Sequence, residues 1–430
     1  MANDKKQIFA WCLYDWANSA FALTVMAGFF PVFFKTFWSA GVEPTISTAR
    51  LGFGNAVAGL IVAVLSPLMG AVADAGRAKK KFLVFFMIVG VSSSGILFFI
   101  GQGQWIAALV IFAIASVAYN SGNLFYDSLL VDICEKDSMD MVSARGYGIG
   151  YLGCGVLFLF NVMMVSYPEA FGLNSVADAV RISFLTAALW WLVFSQPIIL
   201  FVKEKIYSET TGFLPILRGS LQNLRQTTRK ILDNPTLLLF LISYWLYIDG
   251  LNTFVLMSVD FGMAIGITTK SLMIALICVQ FVAFPSSLLF GYFSRKVGAF
   301  VMILVGLGIY ILVSGVGSII LKTELHFIIL AALSGLAQGG IQALSRSYYA
   351  KMIPASESAE YFGFYNVMSR FAVIIGPAVV GIVAYVTHKA GVESTLASRI
   401  GMSSVSVLFL AGALLLIWAE MRKKWVAGVN

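Results

Sequence analysis

The stretch Tyr14-Asp-Trp-Ala-Asn-Ser-Ala-Phe21 indicates the class of this protein, because it places a carboxylate inside a long apolar run. A second stretch, Tyr247-Ile-Asp-Gly-Leu-Asn-Thr-Phe254, repeats the order of an Asp, an Asn three residues later and then a hydroxyl residue. On a helix, residues three apart lie on one face. An acid deep in an apolar helix is costly and indicates a functional site. Two such acids in matching contexts predict a duplicated membrane protein.

The composition supports an integral membrane protein. Of the 430 residues, 59% are hydrophobic and 12% are charged, whereas soluble domains carry about 25% charged residues. The net charge is +8, but the basic residues lie at the ends of apolar segments. We therefore expect a lipid bilayer, and no nucleic acid, as the partner. The four Cys residues are scattered and only two His residues are present, so we expect no metal or other cofactor.

Hydropathy, turn residues and charges predict an all-α protein with twelve membrane-spanning helices. The predicted spans are 8–37, 49–73, 82–101, 104–131, 144–167, 181–202, 236–259, 271–294, 299–321, 327–350, 361–386 and 400–419. A basic linker, 203–235, separates an N-terminal six-helix bundle, 1–202, from a C-terminal one, 236–430. Most of the 29 Lys and Arg residues lie at the two termini and in the even-numbered loops. The positive-inside rule then predicts that both termini are cytoplasmic.

A second repeat lies in the loops after spans 2 and 8, where Gly70 precedes Asp74 by four residues and Gly291 precedes Arg295 by four. The first loop continues through Gly76 to Lys81 and resembles the loop signature of the major facilitator superfamily. It departs from that signature because Gly76 comes one residue early and Ala75 replaces the usual base. In the second loop, Arg295 stands where the acid belongs.

Within that superfamily the chain is similar to the vacuole-effluxer-like family, named for a fungal vacuolar amino-acid exporter involved in autophagy. The matching stretches are Tyr14–Ala20, Gly146–Gly153, Gln338–Ser347 and Phe362–Tyr365. The compact loops resemble the bacterial members. The resemblance implies two pseudo-symmetric six-helix bundles around a central cavity that opens alternately to either side of the membrane.

The substrate site is predicted on spans 1, 4, 7 and 10, which line the cavity in folds of this type. Amide side chains occur on all four spans, and amides both donate and accept hydrogen bonds, which suits a polar, uncharged or zwitterionic solute. The alternative is hydrogen bonding between helices. Aromatic neighbours either shape the pocket or pack. The candidate residues are Tyr14, Trp16, Asn18, Tyr119, Asn120, Asn123, Asn252, Gln338 and Gln342.

Asp15 and Asp249 are the candidates for energy coupling. A carboxylate in an apolar environment can alternate between neutral and charged forms as its surroundings change. That property serves proton transport, and it serves equally the binding of a substrate amine. Alternatively, Asp15 satisfies backbone donors near a helix start, and Asp249 makes a fixed bond between helices.

Charges at the cytoplasmic ends of the two halves have opposite signs. Span 4 ends with two acids five residues apart, and span 10 ends with two bases at the same spacing. Pairing of these charges when the inner side is closed would form a gate, while neutralisation within each half and contact with lipid headgroups are alternatives. The gating candidates are Asp74, Asp127, Asp132, Arg295, Arg346, Lys351 and Arg370, the last of which faces either Asp132 or a substrate carboxylate.

These features predict a secondary transporter in the cell (inner) membrane that moves a small polar metabolite. Amino acids are the first expectation by resemblance, protons are the candidate coupling ion, and a monomer is expected for this fold. The alternatives are export of a siderophore or drug-like compound, a membrane-embedded enzyme and a channel. An enzyme would need a convergent catalytic cluster, and the chain has no nucleotide-binding loop for ATP.

Overall fold

The computed structural model describes residues 4–76, 78–205, 213–371 and 375–426. Within them, twelve helices are long and apolar enough to cross a membrane, which confirms the predicted all-α fold. We number them span 1 to span 12: Lys5–Trp38, Thr45–Gly76, Lys79–Phe99, Trp105–Ile133, Lys136–Ser166, Val176–Phe201, Pro235–Ala264, Ser271–Val297, Ala299–Ile320, Glu324–Met352, Ala355–Lys389 and Ser394–Lys423.

Local sequence explains where individual spans begin and end. Span 7 begins at Pro235, which needs no amide partner at the first helical position, while the Asn234 side chain accepts from the Leu237 amide at 3.2 Å. Span 8 ends at Gly298, whose φ of +89° is unfavourable for residues with a side chain. Such signals explain where span 7 begins and where span 8 ends.

Span 1 departs from a regular α-helix beside the repeated acid motif. In span 1 the backbone widens to a π-helix over Phe21–Phe29, directly after the repeated acid motif. π-Helical turns inside α-helices are frequent at functional sites. Span 11 contains the helices Ser358–Phe371 and Ile375–Lys389, and residues 372–374 between them lie outside the described residues.

The chain divides into two compact units that do not follow the midpoint of the sequence. Unit 1 comprises Met1–Ser138, Ile149–Leu221 and Ile353–Asn366. Unit 2 comprises Met139–Gly148, Gln222–Met352 and Val367–Asn430. The start of span 5 therefore groups with the second half of the sequence, and the start of span 11 with the first half. The predicted boundaries at 202/203 and 235/236 stay predictions.

The basic linker contains a helix that the sequence analysis did not predict, Phe213–Leu232. Its last turn bears the exposed Arg229, which pairs with Asp233 at 3.8 Å. Residues 206–212 of the linker, and Arg77 of the loop after span 2, lie outside the described residues.

Gly70 on span 2 permits a close approach of span 11 within unit 1. A Cβ atom at Gly70 would overlap the carbonyl oxygen of Ala359 and lie 2.6 Å from its carbonyl carbon. The obstacle is backbone, which cannot rotate away as a flexible side chain can. The close contact of Gly70 with the backbone of Ala359 therefore explains why the loop signature has a glycine at this position.

We expect Gly70→Ala to lower the thermal stability of the purified protein by a few degrees, because overpacking costs about 1–3 kcal/mol. Gly59→Ala is the matched control on the same span, since a Cβ atom there has nothing within 4 Å. In an open position Ala stabilises a helix relative to Gly. Thermal unfolding in detergent measures both variants, and equal melting temperatures would show that spans 2 and 11 are not in contact at Gly70.

Candidate functional site

Asp15 of span 1 is buried and held by two hydroxyl groups of unit 1. Ser19, one turn along the same helix, donates to Oδ1 at 3.1 Å, and Tyr126 of span 4 donates to Oδ2 at 3.2 Å. Trp11 in turn donates its indole N–H to the Tyr126 carbonyl at 2.8 Å and stacks on the tyrosine ring at 4.3 Å. The side chain is therefore held by donors that carry no charge.

Asp249 of span 7 repeats the first of these contacts in unit 2. The hydroxyl of Thr253, again four residues later, donates to Oδ1 at 3.3 Å. The second donor differs, because the backbone N–H of Gly376 approaches both carboxylate oxygens at 3.1 Å. Gly376 belongs to the described helix Ile375–Lys389 of span 11, so Asp249 links span 7 to that helix.

Amide side chains meet between spans 1 and 4 of unit 1. Asn18 donates its Nδ2 to Oδ1 of Asn123, and Asn120 donates its own Nδ2 to the Ser116 carbonyl at 2.7 Å. The Oδ1 atoms of Asn18 and Asn120 are buried, yet neither has a hydrogen-bond partner within the described part of the protein. A buried acceptor without a partner is costly, so these two oxygens have an unused capacity to accept a hydrogen bond.

The aromatic candidates of unit 1 lie in packed clusters. Trp16 stacks on Trp190 with ring centroids 5.5 Å apart, and Tyr119 makes an edge contact with Trp191 at 6.1 Å. Tyr14 lies 5.2 Å from the Tyr126 ring. The Tyr14 hydroxyl and the Trp16 indole N–H are buried, and neither forms a hydrogen bond among the described residues. Their rings therefore serve packing within unit 1.

The amide candidates of unit 2 are spread over spans 7 and 10. Gln338 is buried, and its Oε1 has no hydrogen-bond partner in the described ranges. Gln342, one turn along, and Asn252 on span 7 are half-buried. Ser345 follows Gln342 by three residues on the same face of span 10, and its hydroxyl lies 2.6 Å from the Tyr247 hydroxyl. Spans 7 and 10 are thus joined beside the amides.

The gating candidates of unit 1 meet at a lysine that the sequence analysis did not single out. Lys79 is buried at the start of span 3, 3.2 Å from Asp132 and 3.5 Å from Asp74. Its ammonium also donates to the Ser358 hydroxyl of span 11 at 2.7 Å. Asp74 accepts the Glu360 amide at 2.8 Å. Lys79 thus places a base beside Asp74, although this chain has Ala75 where the loop signature has a base.

The gating candidates of unit 2 have partners at the start of span 5. Lys351 pairs with Asp140 at 2.7 Å, and Arg346 donates from Nε to the Ser143 hydroxyl at 2.9 Å. Arg295 is exposed at the end of span 8, while Arg370 in span 11 and Asp127 in span 4 are half-buried. The predicted pairing of Asp127 and Asp132 with Arg346 and Lys351, and of Asp74 with Arg295, stays a prediction.

Four polar residues that contribute to these clusters were missed by the sequence analysis: Lys79, Asp140, Ser143 and Asn366. Asn366 of span 11 donates to the Ser66 hydroxyl at 3.1 Å and to the Asn120 carbonyl at 3.2 Å. The amide search covered spans 1, 4, 7 and 10 only, although an amide within an apolar span was a sufficient signal. Asp140 and Lys79 resemble loop charges, and only their tertiary contacts distinguish them.

Metal binding has no support in the described ranges, where no three His, Cys, Asp or Glu residues cluster in a way that could hold an ion. The polar groups described above instead provide neutral donors and acceptors around two separate carboxylates. Such groups bind and release a polar solute without covalent chemistry.

Sequence comparison matches the chain to one family profile, described as "Vacuole effluxer Atg22 like", over residues 3–139 and 131–428. The MFS-type transporter YxiO of Bacillus subtilis is 38% identical over 413 residues, covering 96% of this chain and 94% of YxiO. Autophagy-related protein 22 of Eremothecium gossypii is 22% identical over 448 residues, covering 89% of this chain and 86% of that protein.

Two solved structures share the fold at low sequence identity. The human organic anion transporter MFSD10 superposes with a TM-score of 0.72 at 13% identity, covering 97% of this chain and 100% of MFSD10. The proton:xylose symporter XylE superposes with a TM-score of 0.68 at 12% identity, covering 96% and 94%. In both cases the similarity to this chain lies in the arrangement of the helices.

Proposed function

The chain belongs to the Atg22-like vacuole effluxer family of the major facilitator superfamily, and from this premise we propose that it carries an amino acid across the cell membrane in exchange with protons or together with them. It is a multi-pass membrane protein and a secondary transporter, and its family consists of transporters rather than enzymes. The substrate class, the coupling ion and the orientation are the proposed parts.

The observation that carries the substrate class is the pair of amide oxygens without a hydrogen-bond partner near the Asp15 carboxylate in unit 1. Asn18 and Asn120 each present a buried Oδ1 without a hydrogen-bond partner among the described residues. Amide oxygens accept from an ammonium group, and amide nitrogens donate to a carboxylate. A zwitterion therefore finds partners for both of its charges without a fixed charge opposite each one.

The position of Asp249 supports proton coupling. Its carboxylate accepts the backbone N–H of Gly376, on the helix Ile375–Lys389, with both oxygens. A proton on Asp249 removes its charge, and hydrogen bonds to an ionised acceptor are stronger than those to a neutral one. Proton binding would then weaken the link between span 7 and the helix Ile375–Lys389 of span 11. Asp15, held by two hydroxyl groups, is the second proposed proton site.

The distribution of basic residues supports an orientation with both termini in the cytoplasm. An enzymatic reporter that is active only in the cytoplasm, fused after the last residue, is expected to be active. We use "cytoplasmic end" below for the ends of the spans that this orientation places inside.

We expect saturable counterflow of labelled amino acids in proteoliposomes loaded with unlabelled ones. We also expect Asn18→Ala to raise KM by about tenfold, since leaving buried polar partners unpaired costs about 1–3 kcal/mol. Asn223→Ala is the control, because Asn223 is an exposed amide on the linker helix. An unchanged KM in Asn18→Ala would remove this amide from the substrate site. Counterflow of a siderophore or a drug-like compound, with none of any amino acid, would replace the substrate class.

A further inference from the structure

The outer end of span 2, opposite its cytoplasmic end, bears an arginine that the proposed transport cycle does not use. Arg50 lies in the second turn of the helix Pro44–Gly76, and its guanidinium carbon is 3.8 Å from the centre of the Trp105 ring, at the start of span 4. One turn deeper, a Cβ atom at Gly54 would lie 2.5 Å from the Leu109 side chain, so the two spans stay in contact. Tryptophan is enriched where spans enter the headgroup region, and the contact therefore marks that level.

Arg50 differs from Arg181 and Arg399, which also lie at outer ends of spans. Arg181 donates to a backbone carbonyl at 2.7 Å and lies 3.8 Å from Asp178. Arg399 donates to the Ile319 carbonyl at 3.1 Å. Arg50 forms no hydrogen bond or ion pair with any described residue, and its Nη1 is buried. Because a cation–π contact replaces only part of the lost hydration, Arg50 can pair with an anion from outside the protein.

The first turn of the same helix offers further donors beside Arg50. Ser47 lies one turn earlier on the same face; it is 1% exposed, and its hydroxyl has no partner in the described ranges. The amides of Thr45 and Ile46 come before the Ser47 amide, which bonds the Glu43 carbonyl at 3.1 Å. Helix N-terminal amides bind phosphate oxygens, and an arginine fork binds two oxygens of one phosphate. The Glu43 side chain is exposed and forms no ion pair with Arg50 in the described structure.

Large apolar side chains are exposed on both spans next to this polar group. On span 2, Phe53 follows Arg50 by one turn and is 72% exposed, and Val57 is exposed one turn deeper. On span 4, Ile106 is 60% exposed, and Val110 is exposed one turn deeper. Contiguous exposed apolar side chains on membrane-spanning helices are surfaces for acyl chains. A basic group at the headgroup level is thus continuous with an apolar strip that runs deeper along both spans.

A phospholipid matches both parts of this surface. Its phosphate suits the guanidinium, the Ser47 hydroxyl and the amides at the helix start, and its acyl chains suit the strip below them. A free phosphate or carboxylate would use the polar part alone. Since no acid among the described residues neutralises Arg50, a lipid with a net negative charge is favoured over a zwitterionic one.

We propose that Ser47, Arg50 and Trp105 bind the phosphate group of an anionic phospholipid whose acyl chains lie along Phe53 and Ile106. We call these five residues the Arg50 lipid site. The site is independent of the transported substrate and of proton coupling. Only its assignment to the outer leaflet rests on the proposed orientation.

Fluorescence quenching in proteoliposomes tests the Arg50 lipid site. A fluorophore is attached at Val57→Cys, in a background with Cys278→Ser because Cys278 is the one native cysteine that is not buried. The vesicles contain equal parts of phosphatidylglycerol and phosphatidylcholine, and only one of the two lipids carries brominated, quenching acyl chains. We expect phosphatidylglycerol to be favoured at position 57 by about fivefold, the preference that one basic residue provides.

Three variants give the comparison. Arg50→Gln is expected to lower the preference to that of a fluorophore at Val316→Cys, an exposed position on span 9. Arg181→Gln is the matched control and should keep the preference, because Arg181 already has partners in the protein. Arg50→Lys retains the charge without the fork and should keep part of the preference. It carries the test if Arg50→Gln fails to insert into the membrane.

Equal quenching by the two lipids at position 57 of the wild type would overturn the proposal, since Arg50 and Trp105 would then only anchor the spans at the interface. An unchanged preference in Arg50→Gln would overturn it as well. Loss of the wild-type preference on addition of inorganic phosphate or glutamate would replace the lipid by a soluble anion. Failure of amino-acid counterflow would leave this test unaffected.

Discussion

Asp249→Asn is expected to abolish accumulation driven by a pH gradient while preserving exchange of substrate across the membrane. The substitution keeps the shape of the side chain and one acceptor for the Gly376 amide, but it removes the group that binds a proton. Exchange needs no net proton movement, so counterflow should continue. We expect gradient-driven uptake to fall by about tenfold or more, within the range of typical coupling factors.

The control for this prediction is Asp260→Asn on the same helix, because Asp260 is an exposed acid of span 7. It should leave both accumulation and exchange at wild-type levels. Accumulation by Asp249→Asn equal to that of the wild type would remove Asp249 from coupling. Loss of exchange together with accumulation would assign it a structural role.

Gly376→Ala is expected to impair both folding stability and transport strongly. A Cβ atom at this position would overlap the Thr253 hydroxyl and lie 2.9 Å from Oδ1 of Asp249. The helix Ile375–Lys389 must then move away, and the Gly376 amide can no longer reach the carboxylate. Overpacking alone costs about 1–3 kcal/mol, and the loss of a hydrogen bond to a buried charged group adds about 1.5–3 kcal/mol.

Gly381→Ala provides the comparison for Gly376→Ala, since it lies on the same helix and a Cβ atom there has nothing within 4 Å. Melting temperature and counterflow rate should both stay near wild type in Gly381→Ala and fall in Gly376→Ala. If Gly376→Ala behaves like Gly381→Ala, the contact between Asp249 and span 11 is absent from the protein in solution.

The spans could be predicted from the sequence because a bilayer demands long apolar helices. The prediction 271–294 is close to the observed Ser271–Val297, while 400–419 is extended at both ends to Ser394–Lys423. Polar and basic residues continue a helix beyond the apolar run, where their charged ends reach the headgroups. A hydropathy profile detects only the apolar run, so it underestimates the length of a helix whose ends are polar.

The candidate site could be predicted only where its signal is local. Asp15 and Asp249 are acids in apolar runs, and the hydroxyl residue four positions later bonds each of them. The second partners, Tyr126 and Gly376, are 111 and 127 residues away in the chain. No periodic pattern in the sequence indicates contacts between residues so far apart in the chain. They follow from helix packing, which a single sequence does not reveal.

The acids at the start of span 5 show the same limit. In the sequence, Asp140 stands beside Asp137 in a short polar segment, and both resemble loop residues. In the structure, Asp137 is exposed while Asp140 is buried against span 10. One helical turn separates the two environments, and only the position of span 10 decides which acid is buried.

The most direct test of the proposed function is uptake of a labelled amino-acid mixture into proteoliposomes, with and without an imposed pH gradient. Unlabelled amino acids added in excess separate a saturable carrier from a leak. The proposed function predicts uptake that saturates, that is stimulated by the gradient and that loses this stimulation in Asp249→Asn. Absence of uptake at every gradient, by protein shown to be folded and inserted, would contradict a proton-coupled amino-acid transporter.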